Sequence, residues 1–119
     1  MTALLVSVAG AIGAMVRFFI DGAVKSRISN AFPIGTLFIN VTGSFILGLL
    51  TGLASNHVIA TQLKVVLGTG FCGGYTTFST ANFETIRLAQ GRRRYLSLVN
   101  LIATIVLTML AAVLGIEIA

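Results

Sequence analysis

The sequence has very few of the side chains with which enzymes do chemistry. Its 119 residues include three carboxylates, one histidine, one cysteine and one proline, and no tryptophan. The carboxylates, Asp21, Glu84 and Glu117, are scattered along the chain. This set contains no pair of acids, no nucleophile–base spacing and no His/Cys metal spacing. An enzyme is therefore not expected, and the lone cysteine excludes a disulfide framework.

Charge of either sign is also scarce. Only 9% of the residues are charged, whereas 56% are hydrophobic, which excludes an ordinary soluble domain. A helix that spans a bilayer needs roughly 20 mostly apolar residues. Four segments meet that length, at about 3–20, 34–54, 65–83 and 95–116. The sequence thus predicts an all-α membrane protein, with residues 1–119 forming a single four-helix transmembrane domain.

The net charge of +5 comes from basic residues in two of the connections. Seven of the eight lie there: Arg17, Lys25, Arg27, Arg87, Arg92, Arg93 and Arg94. Only Lys64 lies near the other connection. Because positive residues concentrate on the cytoplasmic side of membrane proteins, loops 21–33 and 84–94 are predicted to be cytoplasmic. Such loops contact anionic lipid, and nucleic acid is not an expected partner.

Polar and small residues form stripes on two of the apolar segments. In the second segment, residues of this kind recur every four positions: Thr36, Asn40, Ser44, Gly48 and Gly52. In the fourth segment the stripe consists of Asn100, Thr104 and Thr108. An amide at the depth of Asn40 must find partners. An interhelical hydrogen bond and a donor in an ion path are equally good interpretations.

Residues 68–80 hold four glycines in seven positions and then a run of hydroxyls, with no charge between Lys64 and Glu84. Each glycine costs a helix about 1 kcal/mol relative to alanine. Helix packing through Gly70 and Gly74 would need only two of the four, so the pattern favours a break in the third helix. Inside a membrane, a broken helix is tolerated where its carbonyls are buried in protein or line a polar cavity.

The groups available for transport are hydroxyls, an amide and aromatic edges, which suit an anion that moves passively. Four helices close around little more than a packed core, so an aqueous route would need a second subunit. Two other classes remain as alternatives. A small multidrug-type exporter would rely on an acid within the first helix, but residues 3–16 contain none. In a non-transporting assembly subunit, the stripes would serve packing alone.

The patterns of these residues, in their order along the chain, resemble those of the Fluc (CrcB-type) fluoride channels. The similarity runs nearly from end to end, and its most specific part is the stretch 70–80, followed by Glu84. Two earlier patterns contribute to it: Gly10-x-x-Gly13-Ala14-x-x-Arg17, and Gly35-Thr36-Leu37-x-x-Asn40-x-x-Gly43-Ser44-x-x-x-Gly48. The resemblance implies a passive, fluoride-selective channel in the plasma membrane of a prokaryote, through which accumulated fluoride leaves the cell.

The resemblance also implies an assembly and a set of site residues. Two subunits would lie antiparallel around a structural sodium ion, held by the backbone carbonyls of Gly73 and Thr76. The anion route would be lined by residues from three helices: Asn40, Thr77, Phe78, Ser79, Thr104 and Thr108. Arg17 and Glu84 would be structural or would line the vestibule.

One position departs from the family pattern. The family usually has a second phenylalanine three residues after Phe78, where this chain has Ala81, and Phe83 would point elsewhere on a helix. The seven-to-one charge bias is also unusual for subunits that insert in both orientations. Both features suggest one half of a heterodimer, whose related partner supplies the missing ring. A homodimer in which Phe83 or nothing replaces the ring is the alternative.

Overall fold

The computed structural model describes residues 1–27, 34–76, 85–91 and 94–119, apart from the Lys25 side chain. Within these ranges the chain is helical and contains no strand. The first two helices are α1, Thr2–Arg27, and α2, Ile34–Ser55. A short helix over 85–90, α4, precedes the long last helix α5, Arg94–Ile118.

The third helix, α3, changes its hydrogen-bond pattern along its length. It begins as an α-helix at Thr61–Lys64, continues as a π-helix over Val65–Cys72 and ends as α-helix at Gly73–Tyr75. The amide of Gly73 donates to the carbonyl of Gly68, five residues back, as in a π-helix. Thr76 is extended, with φ −79° and ψ 156°. The predicted continuation to residue 83 lies outside the described residues, so the broken span remains a prediction.

Within the described residues, three helices are long and apolar enough to cross a membrane: Thr2–Val24, Ile34–Ser55 and Arg94–Ile118. Their lengths of 23, 22 and 25 residues give rises of about 33–38 Å, which exceed the roughly 30 Å of a hydrocarbon core. The helix α1 continues past residue 20 to Arg27, so its last turns carry the polar residues that the sequence analysis assigned to the first connection.

Glycines bring α1 and α3 into backbone contact. A Cβ atom on Gly74 would collide with the carbonyl of Gly10, and one on Gly13 would collide with the carbonyl of Phe71. At Gly70 the added atom would lie 2.9 Å from the carbonyl oxygen of Val6. Small residues allow this approach between helices in a membrane, where packing replaces the hydrophobic effect.

The helices α2 and α5 form the most extensive contact in the chain, and it too is built on glycine. A Cβ atom on Gly48 would collide with the carbonyl of Ala112, and one on Gly115 with that of Phe45. At Gly52 it would lie 2.9 Å from the carbonyl oxygen of Ile116. The small residues of the second-segment stripe thus serve packing at its C-terminal end.

The distribution of side chains is the reverse of that in a soluble protein. Large apolar side chains lie outside along α1 and α5, among them Leu4, Met15 and Met109. The buried side chains include several polar ones: Thr36, Asn40, Ser97, Asn100 and Thr104. Lipid tails solvate the apolar exterior, whereas polar groups at that depth need partners within the protein.

His57 follows the C-terminal end of α2 and takes part in the cap of that helix. His57 has a left-handed backbone, with φ 59°. Its amide donates to the carbonyl of Ala54 at 3.1 Å, and the amide of Val58 donates to the carbonyl of Leu53 at 2.9 Å. This pair of bonds is a Schellman motif, which ends a helix by satisfying its last carbonyls. His57 is exposed, as expected of a solvated loop residue.

Candidate functional site

A partly open cavity of about 230 Å³ lies between α2, α3 and α5. It brings together the polar stripes of the second and fourth predicted segments and the glycine-rich stretch of the third. The lining residues are Asn40, Gly43, Ser44, Leu47, Gly68, Cys72, Gly73, Thr76, Thr104 and Thr108. Five of the ten predicted site residues therefore meet in one place, although they come from three helices.

Asn40 lines the cavity from α2 and is only 4% exposed. Ser44, one helical turn further along, also lines it, because residues four apart share a face of a helix. A buried amide costs several kcal/mol unless it is hydrogen-bonded. Asn40 does take part in an interaction within the protein, and it also lies in the cavity wall, where an amide can face a small ion.

The two threonines that α5 contributes differ in their hydrogen bonding. The Thr108 hydroxyl donates to the carbonyl of Thr104 at 2.5 Å and lies 3.2 Å from that of Ile105. The Thr104 hydroxyl is buried and has no hydrogen-bond partner among the residues that the structure describes. Leaving such a group unsatisfied costs about 1–3 kcal/mol. Thr104 is therefore the better candidate to donate to a ligand in the cavity.

The wall formed by α3 is shaped by its π-helical stretch. Gly68 and Gly73 are joined by the five-residue hydrogen bond and both line the cavity, as does Cys72. A Cβ atom on Gly73 would have no described atom within 4 Å. In an ordinary α-helix, residues five apart do not share a face. The wider π-turn is what turns both glycines toward the cavity.

Thr76 closes this wall where the helix ends. Its amide and its hydroxyl both donate to the carbonyl of Cys72, at 2.9 and 2.8 Å. The extended backbone at Thr76 ends the helical pattern of the described residues here, and the last carbonyls of a helix have no intrahelical partner. Carbonyls released in this way are the groups with which unwound membrane helices coordinate cations.

Tyr75 connects this helix end to α2. Its hydroxyl lies 2.8 Å from the hydroxyl of Thr42, and its ring stacks on Phe71 with centroids 5.8 Å apart. A Cβ atom on Gly43 would collide with Thr76 and lie 3.2 Å from the Tyr75 ring. The missing side chain at Gly43 thus lets the end of α3 approach α2.

The remaining predicted site residues are not in the cavity wall as described. Arg17 is half-buried on α1 and is not among the described lining residues. Thr77, Phe78, Ser79 and Glu84 lie outside the described residues, and so do Ala81 and Phe83.

Sequence reasoning did not assign the part that Cys72 and Tyr75 play. The single cysteine was considered only for disulfide formation, whereas the Cys72 side chain is 2% exposed and lines the cavity. The Tyr75–Thr42 contact joins residues 33 positions apart, and no periodicity along one helix indicates such a pair.

A family model described as "CrcB-like protein, Camphor Resistance (CrcB)" matches residues 4–116 of the chain. A relative named fluoride-specific ion channel FluC 2, from Cutibacterium acnes, is 50% identical over 116 residues, which are 97% of this chain and 94% of that protein. FluC 1 from Leifsonia xyli subsp. xyli is 49% identical over 112 residues, covering 94% and 82%. FluC from Pyrococcus abyssi is 38% identical over 115 residues, covering 96% and 92%.

Proposed function

The chain belongs to the CrcB-like family, and on that premise we propose that it is a subunit of a passive, fluoride-selective channel. Membership confirms the resemblance found in the sequence. It also confirms that the chain is not an enzyme, because these relatives are ion channels. The apolar helices and the family together identify it as a membrane protein.

The observation that carries the proposal is the chemistry of the cavity. Its described lining consists of neutral side chains and glycines, with donors at Asn40 and at the Thr104 hydroxyl, which has no partner among the described residues. Fluoride is strongly hydrated, so a selective pore must replace its water with close donors without trapping the ion. Amide and hydroxyl groups can do this, whereas a fixed positive charge would hold the anion. Phe78, Thr77 and Ser79 complete the proposed lining.

The second subunit belongs where the described residues leave the site open. The cavity is partly open, and Gly73 is exposed, with no described atom within 4 Å of an added side chain. We place an antiparallel partner subunit against the open side of the cavity. Each subunit is proposed to have four membrane spans, the third of which is a helix interrupted by a break. Arg17 and Glu84 are assigned structural or vestibule roles.

The proposed sodium ion belongs at the end of α3. The carbonyls of Gly73 and Thr76 lie where the helical hydrogen-bond pattern stops, and the open space at Gly73 allows close approach. Carbonyl oxygens are suitable ligands for a hard cation. When bound, the ion would neutralise helix-end dipoles and link the two subunits. The carbonyls of Gly73 and Thr76 would hold the sodium ion as a structural ion, and fluoride would not bind at this position.

The basic residues orient the subunit. Loops 21–33 and 84–94 are proposed to lie in the cytoplasm of a prokaryotic cell, and fluoride accumulated there would leave by diffusion. The charge bias and Ala81 support a heterodimer with a related partner of opposite orientation. A homodimer remains the alternative.

Fluoride efflux from liposomes tests this proposal. The chain is reconstituted alone and together with a related partner subunit, and electrogenic fluoride efflux is compared with chloride efflux. Rapid fluoride efflux without chloride efflux is expected. Efflux that requires a proton gradient would point to an exporter, and absence of flux with every partner would point to an assembly subunit. Robust flux from the chain alone would contradict the heterodimer.

A further inference from the structure

The end of α3 is attached to α2 through a contact between two hydroxyl groups. The Tyr75 hydroxyl lies 2.8 Å from the Thr42 hydroxyl. Tyr75 is 4% exposed, and Thr42 is half-buried. The two residues are 33 positions apart in the sequence, so this hydrogen bond holds one helix against another.

The direction of the bond follows from the other contacts of Thr42. A hydroxyl has one proton to donate, and the Thr42 hydroxyl lies 2.8 Å from the carbonyl oxygen of Phe38 and 3.1 Å from that of Ile39. Because a carbonyl oxygen can only accept, the Thr42 proton points into its own helix and Tyr75 donates to the Thr42 oxygen. Removal of the Tyr75 hydroxyl would therefore break the bond between the helices and leave the bond within α2 in place.

The ring of Tyr75 is held independently of its hydroxyl. It stacks on Phe71, with centroids 5.8 Å apart and planes inclined by 14°. On the α2 side, a Cβ atom on Gly43 would lie 3.2 Å from the ring, so the ring packs against the backbone there. Tyr75→Phe keeps both of these contacts and removes the hydroxyl alone.

Tyr75 lies between the two residues whose carbonyls are proposed to hold sodium. Gly73 precedes it by two positions, and Thr76 follows it directly, at the point where the backbone becomes extended. The amide and the hydroxyl of Thr76 both donate to the carbonyl of Cys72, which fixes Thr76 to the end of the helix. A movement of Tyr75 relative to α2 would therefore move both carbonyls, and a binding site functions only when its ligands are held to within about 0.5 Å.

We propose that Tyr75 is a positioning residue for the sodium ion: by donating to Thr42, it fixes the carbonyls of Gly73 and Thr76 relative to α2 and so sets the sodium concentration at which the subunits associate. This role rests on the proposed function, which assigns the ion to these carbonyls. The phenol itself does not contact the ion.

A sodium titration of subunit association tests this role. The protein is purified in detergent with the subunit with which it assembles, and a large organic cation replaces sodium at constant ionic strength. Size-exclusion chromatography then gives the sodium concentration at which half of the maximal dimer is present. In Tyr75→Phe this concentration should rise about fivefold, as expected for the loss of one hydrogen bond, and saturating sodium should restore the wild-type amount of dimer.

Thr42→Val removes the other partner and should give a similar shift. The double variant should shift the concentration no further than either single variant, because both changes break one contact. Thr51→Val is the matched control, since the Thr51 hydroxyl also donates to a carbonyl four residues back in α2, that of Leu47, at 2.8 Å. It should leave the sodium dependence unchanged.

The outcomes separate the positioning role from the channel. A sodium response of wild-type strength in Tyr75→Phe, or an equal loss of dimer at every sodium concentration, would overturn the positioning role alone. A wild-type protein that conducts fluoride but associates equally well without sodium would overturn the sodium site and the positioning role, while the channel stood.

Discussion

The two sides of α3 use glycine for opposite purposes. On the side that faces α1, Gly70 and Gly74 allow backbone contact, and an added methyl group would meet Val6 or Gly10. On the side that faces α2 and α5, Gly68 and Gly73 line a cavity, and the space around Gly73 is open. One side is in close backbone contact with its neighbour, whereas the other leaves room for a ligand.

This difference teaches that a glycine-rich stretch in a membrane need not have one role. Gly70 and Gly74 serve helix packing, whereas Gly68 and Gly73 line the cavity in which the site is proposed. The π-helical turn over Val65–Cys72 is what separates the pairs, since it changes which residues share a face. Substitutions on the two sides should therefore differ in kind as well as in size.

The largest effect is expected on the packed side. In Gly74→Ala the new methyl group collides with the carbonyl of Gly10, and backbone cannot move aside as a side chain can. We expect a loss of about 3 kcal/mol in stability, measured as thermal unfolding of the protein in detergent. Gly22→Ala is the control, because nothing lies within 4 Å of its added atom. Equal stability of the two variants would contradict the close contact.

On the open side, Gly73→Ala should leave the single chain folded, because nothing within 4 Å opposes the methyl group. If a second subunit and a sodium ion approach here, the methyl group should weaken dimer formation at least tenfold and abolish its dependence on sodium. Size-exclusion chromatography in buffers that contain either sodium or a large organic cation measures dimer formation and its dependence on sodium. A sodium-dependent dimer of wild-type strength would place the partner and the ion elsewhere.

In the cavity itself, Thr104→Val should change function and stability in opposite directions. Fluoride efflux should fall about tenfold, as expected for the loss of a hydrogen bond to an ion. Stability should stay equal or rise by about 1 kcal/mol, because a buried hydroxyl without a described partner is removed. Fluoride efflux and thermal unfolding are measured on the same preparation of Thr104→Val. Thr51→Val is the control, because the Thr51 hydroxyl donates to the carbonyl of Leu47 within its own helix. Lower stability with normal efflux would show that the hydroxyl serves structure.

The smallest effect is expected outside both regions, at the end of α2. His57→Gly relieves the left-handed backbone at φ 59° and should stabilise the protein by about 0.5 kcal/mol, after the entropy of the unfolded glycine is subtracted. Fluoride efflux should not change, since the side chain is exposed in a loop. A marked loss of efflux would assign His57 a role that the Schellman motif does not explain.

Periodicity within single helices predicted the polar stripes that line the cavity, whereas the resemblance to the family supplied their assignment to an anion route. Asn40 was identified by its place in a stripe of small and polar residues, and Thr104 and Thr108 by their spacing. Both stripes do meet in one cavity. Spacing does not distinguish the three members of the α5 stripe, however, whereas the structure gives them three different hydrogen-bond states. Asn100 donates to Thr85, Thr108 donates to the Thr104 carbonyl, and the Thr104 hydroxyl has no described partner. Residue spacing along one helix does not predict these partners.

The sequence by itself determined that this is a helical membrane protein of the CrcB-like family with neutral polar stripes, because apolar length and residue spacing are properties of one chain segment. Only the tertiary structure decided which glycines pack and which line the cavity, and that Asn100 holds Thr85 while the Thr104 hydroxyl has no described partner. The reason is physical. The periodicity of an α-helix predicts which residues share a face. The π-helical turn in α3 changes that period, and the neighbour that each face contacts depends on how the helices pack.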